Sequence, residues 1–139
     1  MSQSDCIFCR IVRGEIPCAQ IYADDHVLSF LDIGPVNRGH ALIVPKEHHR
    51  TVLDMPARLG EHIIAAQQRV GRAVMEATGA EGLNIFQNNF ATAGQVVFHV
   101  HWHLVPRFPG DGHELWPQGQ YGSIDEMQAL AKAIRERME

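Results

Sequence analysis

His99-Val100-His101-Trp102-His103-Leu104-Val105 alternates imidazole with large apolar side chains. Alternation at period two is the signature of a β-strand with one buried face. It predicts a strand over Phe98 to Val105 in which His99, His101 and His103 share one face. Val100, Trp102 and Leu104 then point the other way, into a core. Successive histidines on such a row have Cα atoms roughly 6–7 Å apart. Imidazole titrates near ~6.5, so each is a near-neutral base at physiological pH. Two chemistries suit that row. Histidines at i and i+2 on a strand can ligate one metal ion. A neutral imidazole can instead attack an activated phosphorus while its neighbours hold it. The outer two are roughly 13 Å apart by the same rise, so all three cannot converge on one ion.

The sequence outside this strand predicts its partners. Leu83 to Gln87 is a strand, and Asn88-Asn89-Phe90-Ala91-Thr92-Ala93-Gly94-Gln95 joins it to the histidine strand. That loop is small and polar, the kind whose backbone N–H groups turn toward an anion. Ile21-Tyr22 and Val27 to Leu31 are strands joined through Ala23-Asp24-Asp25. Ala41 to Val44 is another, approached through Asn37-Arg38-Gly39-His40 and closed by Pro45. Short polar turns so close together favour an antiparallel meander.

A long helix has Asp54 as N-cap, Pro56 in its first turn and an apolar stripe of Leu59, Ile63, Ala66, Val70 and Val74. Thr78-Gly79 ends it. Ile64 and Met75 lie off the stripe, which means either a deeply buried helix or a dimer contact. Cys6 to Arg13 reads as a short helical turn ended by Gly14 and Pro17. Phe108 to Tyr121 is rich in Pro, Gly and aromatics and is expected over the surface. Ser123-Ile124-Asp125-Glu126 is a capping box, opening a helix with the stripe Ile124, Met127, Leu130 and Ile134.

With 139 residues and a net charge of −4, the chain is sized for one domain, and nothing in its composition suggests a basic surface for nucleic acid. No apolar run approaches the ~20 residues of a membrane span. Met1-Ser2-Gln3-Ser4-Asp5 begins neither a signal nor a transit peptide, so a cytoplasmic location is expected. Three cysteines without a secretion signal argue against a disulfide framework. Cys6 and Cys9 form a C-x-x-C pair, but a redox pair normally opens a helix after a strand, and almost no chain precedes this one. Half of a zinc site fits better, with nine histidines available to complete it. Cys18 reads as a small buried hydrophobe.

Further motifs follow in order: Cys6-Ile7-Phe8-Cys9, Gly14-Glu15-Ile16-Pro17, Phe30-Leu31-Asp32, Arg38-Gly39-His40, Val44-Pro45-Lys46, Gly94-Gln95 and Pro106-Arg107. With the histidine strand, they make the chain resemble the histidine triad (HIT) family from about Asp5 to Arg107. It is closest to the family's Hint-like bacterial branch. The resemblance implies an α+β fold, a five-stranded antiparallel sheet with one long helix, followed here by a C-terminal helix over about 124–138. It makes the chain a single HIT domain, with its core at about 5–107 and an extension over 108–139. It also implies a homodimer with a ten-stranded sheet.

The implied activity is that of a nucleotide hydrolase. Such enzymes cleave nucleoside phosphoramidates or dinucleoside polyphosphates at the α-phosphorus and release a nucleoside monophosphate; a purine nucleotide is the expected substrate. By resemblance His101 is the nucleophile, held by the backbone carbonyl of His99. His103 hydrogen-bonds the phosphoryl oxygen or the leaving group, and His40 takes the family's fourth-histidine position. The backbone of Gly94, Gln95 and Val96 supplies donors to developing charge, Asp32 binds ribose, Ile33 adjoins the nucleotide, and Asn88 lies near phosphate and sugar. The implied structural zinc ligands are Cys6, Cys9, His48 and His99, with His49 the rival to His48.

One departure stands out: Val96 replaces the Ser or Thr usual two residues after the loop glycine, removing a side-chain donor from the leaving-group side. His26, His62 and His113 read as surface residues, His113 with Trp116 within reach of a leaving group. The rival readings are a nucleotidyl transferase or phosphorylase, a nucleotide-binding scaffold, and a metallohydrolase ligating through His101 and His103.

Overall fold

Burying the central strands on both faces explains the unbroken apolar run Ala41–Pro45 and the run Val27–Leu31, broken only by Ser29, whose buried hydroxyl donates to the Leu42 carbonyl. In a computed structural model that describes residues 5–138, β2 (Val27–Leu31) and β3 (Ala41–Pro45) pair antiparallel with Leu28 opposite Val44 and Phe30 opposite Leu42. Those four side chains form one core with Cys6, Phe8 and Cys9 of the N-terminal segment. Val27, Ala41, Ile43 and Leu104 point the opposite way, onto Ile63, Ala66, Val70 and Val74 of the long helix. The sheet is thus a middle layer.

Its order is β1-β2-β3-β5-β4, every neighbouring pair antiparallel, with β1 at Gln20–Ala23, β4 at Gly82–Gln87 and β5 at Trp102–Arg107. Helix α1 (Ile7–Val12) covers one face. Helix α2 (Gly60–Thr78) covers the other with the expected stripe, while Ile64 faces solvent and Met75 is half-buried. Gly79 ends α2 in the left-handed conformation, its N–H bonded to the Met75 carbonyl, a geometry that favours glycine. At Gly39, φ is +96°, and a Cβ would lie 2.6 Å from the Thr78 methyl, so glycine is required twice over.

The structure corrects three expectations. Strand β5 begins at Trp102, not Phe98, because the chain before it is drawn to other partners: the Val100 N–H donates to the His49 carbonyl and His99 turns to Pro45. Asp54 does not cap α2. It accepts from the Thr51 N–H and hydroxyl, closing a turn, and a 3-10 turn over Ala57–Leu59 precedes the helix. Cys18 is only half-buried.

Half of the capping box holds: Ser123 accepts from the Glu126 N–H at 3.1 Å, but the Glu126 carboxylate accepts from the Gly122 N–H instead of that of Ser123. It starts α3 (Ile124–Arg137), whose stripe of Ile124, Met127, Leu130 and Ile134 is solvent-facing. Leu115 and Trp116 before it are exposed as well. Residues 1–4, read above as neither signal nor transit sequence, lie outside the described residues. Among the described residues no helix is long and apolar enough to cross a membrane.

Candidate active site and metal centre

The three histidines of the opening motif divide between two sites. His99, fully buried, turns to the N-terminal cysteines. Its Nδ1 lies 3.4 Å from Cys6 Sγ, 3.5 Å from Cys9 Sγ and 3.2 Å from His48 Nδ1, and His48 Nδ1 is 3.2 Å from Cys9 Sγ. Ligands on a tetrahedral ion with S and N donors are separated by roughly 3.3–3.8 Å, so these four atoms outline one coordination shell. Helix α1 makes the pair possible: Cys6 is its N-cap and accepts from the Cys9 N–H, which turns both thiols to one side.

His99 Nε2 lies 2.8 Å from the Pro45 carbonyl oxygen and therefore carries the proton, leaving the Nδ1 lone pair directed at the cluster. Burial pushes His99 down to about 4, so it is neutral. Burial, aided by the Cys6 sulfur alongside, pushes the Cys9 thiol up to about 11. His49 points away, 3.4 Å from Glu47. His48 is therefore the residue the structure groups with the cysteines.

His101 belongs to the second site. Its Nδ1 donates to the His99 carbonyl oxygen at 2.7 Å, which leaves the Nε2 lone pair unprotonated. The Phe8 ring meets it edge-on, with centroids 5.0 Å apart. Beside it, at 5.0 Å between ring centres, sits His103. The Val36 N–H donates to His40 Nδ1 at 3.0 Å, so His40 carries its proton on Nε2. That Nε2–H reaches His103 Nδ1 at 2.9 Å, which leaves His103 with an Nε2–H donor. Burial lowers His40 and His101, and burial with its imidazole neighbours lowers His103 to about 4. All three are neutral at pH 7.

Asp32 Oδ2 lies 3.6 Å from His40 Nε2, and its other oxygen accepts from the Gly34 N–H. Asp32, His40 and His103 are close enough to resemble a metal triad. The hydrogen bonds oppose that reading, because His40 Nε2 carries a proton and has no lone pair to offer.

The loop before the histidines is a folded device. Gln95, 3% exposed, accepts from the Phe90 N–H with its side-chain oxygen and donates from Nε2 to the carbonyls of Arg50 and Val97. It holds Phe90 at φ 73°, ψ 157°, a region otherwise left to glycine. The expected row of three donors is corrected here. The Gly94 N–H bonds the Ala91 carbonyl and the Gln95 N–H the Phe90 carbonyl, so of the three only the Val96 N–H is unspent. Val96 itself is exposed, Ile33 fully so, and a Cβ on Gly94 would meet the Asn88 amide at 3.4 Å.

Sequence reasoning missed Phe86, whose ring stacks on His103 at 4.6 Å. It sits directly opposite His103 in the β4–β5 register, a signal that needs the pairing and not the strand alone. Of the remaining histidines, His26 and His62 stack on each other at 3.8 Å, and His113 donates to the Val36 carbonyl.

A five-stranded antiparallel sheet carrying these two imidazole clusters is the arrangement that comparison places. The HIT domain family model matches residues 13–110, and the chain belongs to that family. It is 37% identical to the adenosine 5'-monophosphoramidase hnt1 of Schizosaccharomyces pombe, over 96% of this chain and 98% of that one. It is 43% identical to adenylylsulfatase HINT3 of Arabidopsis thaliana, over 76% of this chain but 53% of that longer one. Among solved structures, SMU.412c from Streptococcus mutans superposes with a TM-score of 0.94 at 43% identity, covering 99% of this chain and 88% of that one. A Zn-bound histidine triad family protein from Mycobacterium smegmatis superposes with a TM-score of 0.77 at 36% identity, covering 99% and 100%.

Proposed function

We propose that the protein is a nucleotide hydrolase that cleaves nucleoside phosphoramidates or related conjugates at the α-phosphorus through a nucleotidyl-His101 intermediate. The observation that carries this reading is the tautomer of His101. Its Nδ1–H is tied to the His99 carbonyl, so Nε2 is a neutral base pointing away from the backbone, beside the His103 donor. Relatives with phosphoramidase and adenylylsulfatase names support the substrate class, a purine nucleotide conjugate.

In the first step the His101 Nε2 lone pair forms a bond to the α-phosphorus. The bond to the leaving group breaks, its electron pair departs with that group, and solvent supplies the proton it takes up. The His103 Nε2–H and the Val96 N–H donate to charge developing around phosphorus. In the second step water attacks, the P–N bond to His101 breaks and its electrons return to Nε2. One proton goes back to solvent, and a nucleoside monophosphate leaves. Asp32 Oδ2 takes the ribose hydroxyls, Ile33 offers an apolar edge to the base, and the Asn88 amide lies beside the phosphate.

Cys6, Cys9, His48 and His99 hold a structural zinc ion, which the Zn-bound neighbour supports. The ion ties the N-terminus to the sheet, and a closed set of four ligands offers it no place for substrate. The chain works in the cytoplasm as a homodimer, the exposed Ile64 and the unpartnered stripe of α3 being surfaces for the second copy.

The test is intact-protein mass after brief mixing with an adenosine phosphoramidate. An acid-labile gain of one AMP is expected on the wild type and none on His101→Ala. Turnover without any adduct under rapid quench would overturn the covalent route.

A further inference from the structure

The segment after β5 does not simply run off the sheet. Arg107 Nε and Nη2 face Asp111 Oδ2 and Oδ1 at 2.7 and 2.9 Å, a side-by-side pair. The same carboxylate accepts from the backbone N–H groups of Phe108 and His113 and from Asn37 Nδ2. Only 8% of the Asp111 side chain is exposed. Arg107 also donates to the His113 carbonyl, which fixes where that residue stands.

Both Asn37 and His113 act on one loop. Asn37 lies in the segment 33–39 between β2 and β3, and its side chain is held by Asp111 and by the Pro106 carbonyl at 2.9 Å. Its own carbonyl accepts from the His40 N–H. His113 Nε2 donates to the Val36 carbonyl at 3.1 Å. Val36 is the residue whose N–H fills His40 Nδ1, and thereby decides which nitrogen His40 presents to His103.

A peptide N–H has one direction. If the loop turns, His40 can adopt its other tautomer, and its Nε2 would then meet His103 Nδ1 lone pair to lone pair. His103 would have to flip its own proton inward, losing the donor it aims at the phosphorus.

We propose that Asp111 and His113 are positioning residues: they clamp the loop over 33–39 so that the Val36 N–H stays on His40 and the donor face of His103 stays outward. This rests on the hydrolase reading for its kinetic consequence, but the tautomer consequence stands on the hydrogen bonds alone. The clamp makes the start of the C-terminal extension part of the site without touching substrate.

Three variants of the full-length, zinc-loaded protein test it: Asp111→Asn, His113→Ala and His113→Gln. Asparagine keeps the shape but turns an N–H₂ toward Arg107, while glutamine can still donate to the Val36 carbonyl. Long-range ¹H–¹⁵N spectra of the imidazoles should show His40 protonated on Nε2 alone in the wild type and in His113→Gln. Asp111→Asn and His113→Ala should show a mixture of both tautomers. In single-turnover adduct formation, those two should lose about tenfold to a hundredfold in rate, the scale of a misplaced group. AMP affinity should change less than about twofold, and His113→Gln should retain the rate.

The proposal is overturned if the His40 tautomer is unchanged in Asp111→Asn and His113→Ala. It is equally overturned if His113→Gln fails as badly as His113→Ala, or if rate and AMP affinity fall together. A wild type that forms no adduct at all would sink the hydrolase reading instead, and the spectra would still decide the clamp.

Discussion

Gln95→Ala removes the strut of the loop, and its cost can be worked from the contacts. The side chain makes hydrogen bonds at 2.7 Å to the Phe90 N–H, at 2.7 Å to the Arg50 carbonyl and at 3.1 Å to the Val97 carbonyl. At about 1 kcal/mol for each bond the loss is about 3 kcal/mol, with the buried partners left unpaired adding to it. For a chain of this size that lowers Tm by roughly 6–12 °C. Released from Gln95, Phe90 leaves its costly backbone conformation and the loop changes shape, so adduct formation falls as well.

Gln95→Glu is the sharper variant. It keeps the acceptor for Phe90 but sets a carboxylate oxygen against two carbonyls, so it should be at least as damaging as alanine. Urea denaturation of the zinc-loaded protein, followed by circular dichroism, measures both. A loss below about 1 kcal/mol for Gln95→Ala, or a Gln95→Glu more stable than Gln95→Ala, would refute the strut.

Three further outcomes are expected. His103 is held at about 4 against an ordinary value near 6.5, so the unfolded chain binds the extra proton; its contribution is whole above pH 6.5 and is lost as pH falls toward 4. That difference is worth about 3 kcal/mol, and His103→Asn should flatten the fall in stability across this window in pH-dependent denaturation. Chelation should lower Tm without abolishing adduct formation at temperatures where the protein stays folded, and metal analysis should return one zinc per chain; loss of chemistry with the fold intact would point to a catalytic ion. His40→Ala should slow adduct formation with AMP binding retained, checked by single-turnover kinetics against isothermal titration.

Much of the architecture could be read along the chain, because the signals there are local. The stripe Leu59, Ile63, Ala66, Val70 and Val74 is buried as its spacing requires, and Ser123 caps the last helix through the Glu126 N–H. The failures are places where a distant partner outcompetes local pattern. His99 has the alternation of a strand residue, yet Pro45, Cys6 and Cys9 draw it out of the ladder. Asp54 has the look of a helix cap but is spent on Thr51. Of the residues carried by the family resemblance, Cys6, Cys9, His48 and His99 lie together, as do Asp32, His40, His101 and His103, but the direction of each proton was not legible. It depends on the Val36 N–H and the His99 and Pro45 carbonyls; every residue type supplies such a carbonyl and every type but proline such an N–H. Phe86 and Asp111 were silent for a related reason, since each acquires its role only through strand register or a turn.

The central claim is that the α-phosphorus is displaced twice, first by His101 Nε2 and then by water. The stereochemical course at a P-chiral adenosine phosphorothioamidate, hydrolysed in ¹⁸O-labelled water and read by ³¹P resonance, tests it directly. Two in-line displacements predict net retention of configuration at phosphorus. Net inversion would mean that water attacks once without a nucleotidyl-histidine, and would contradict the account.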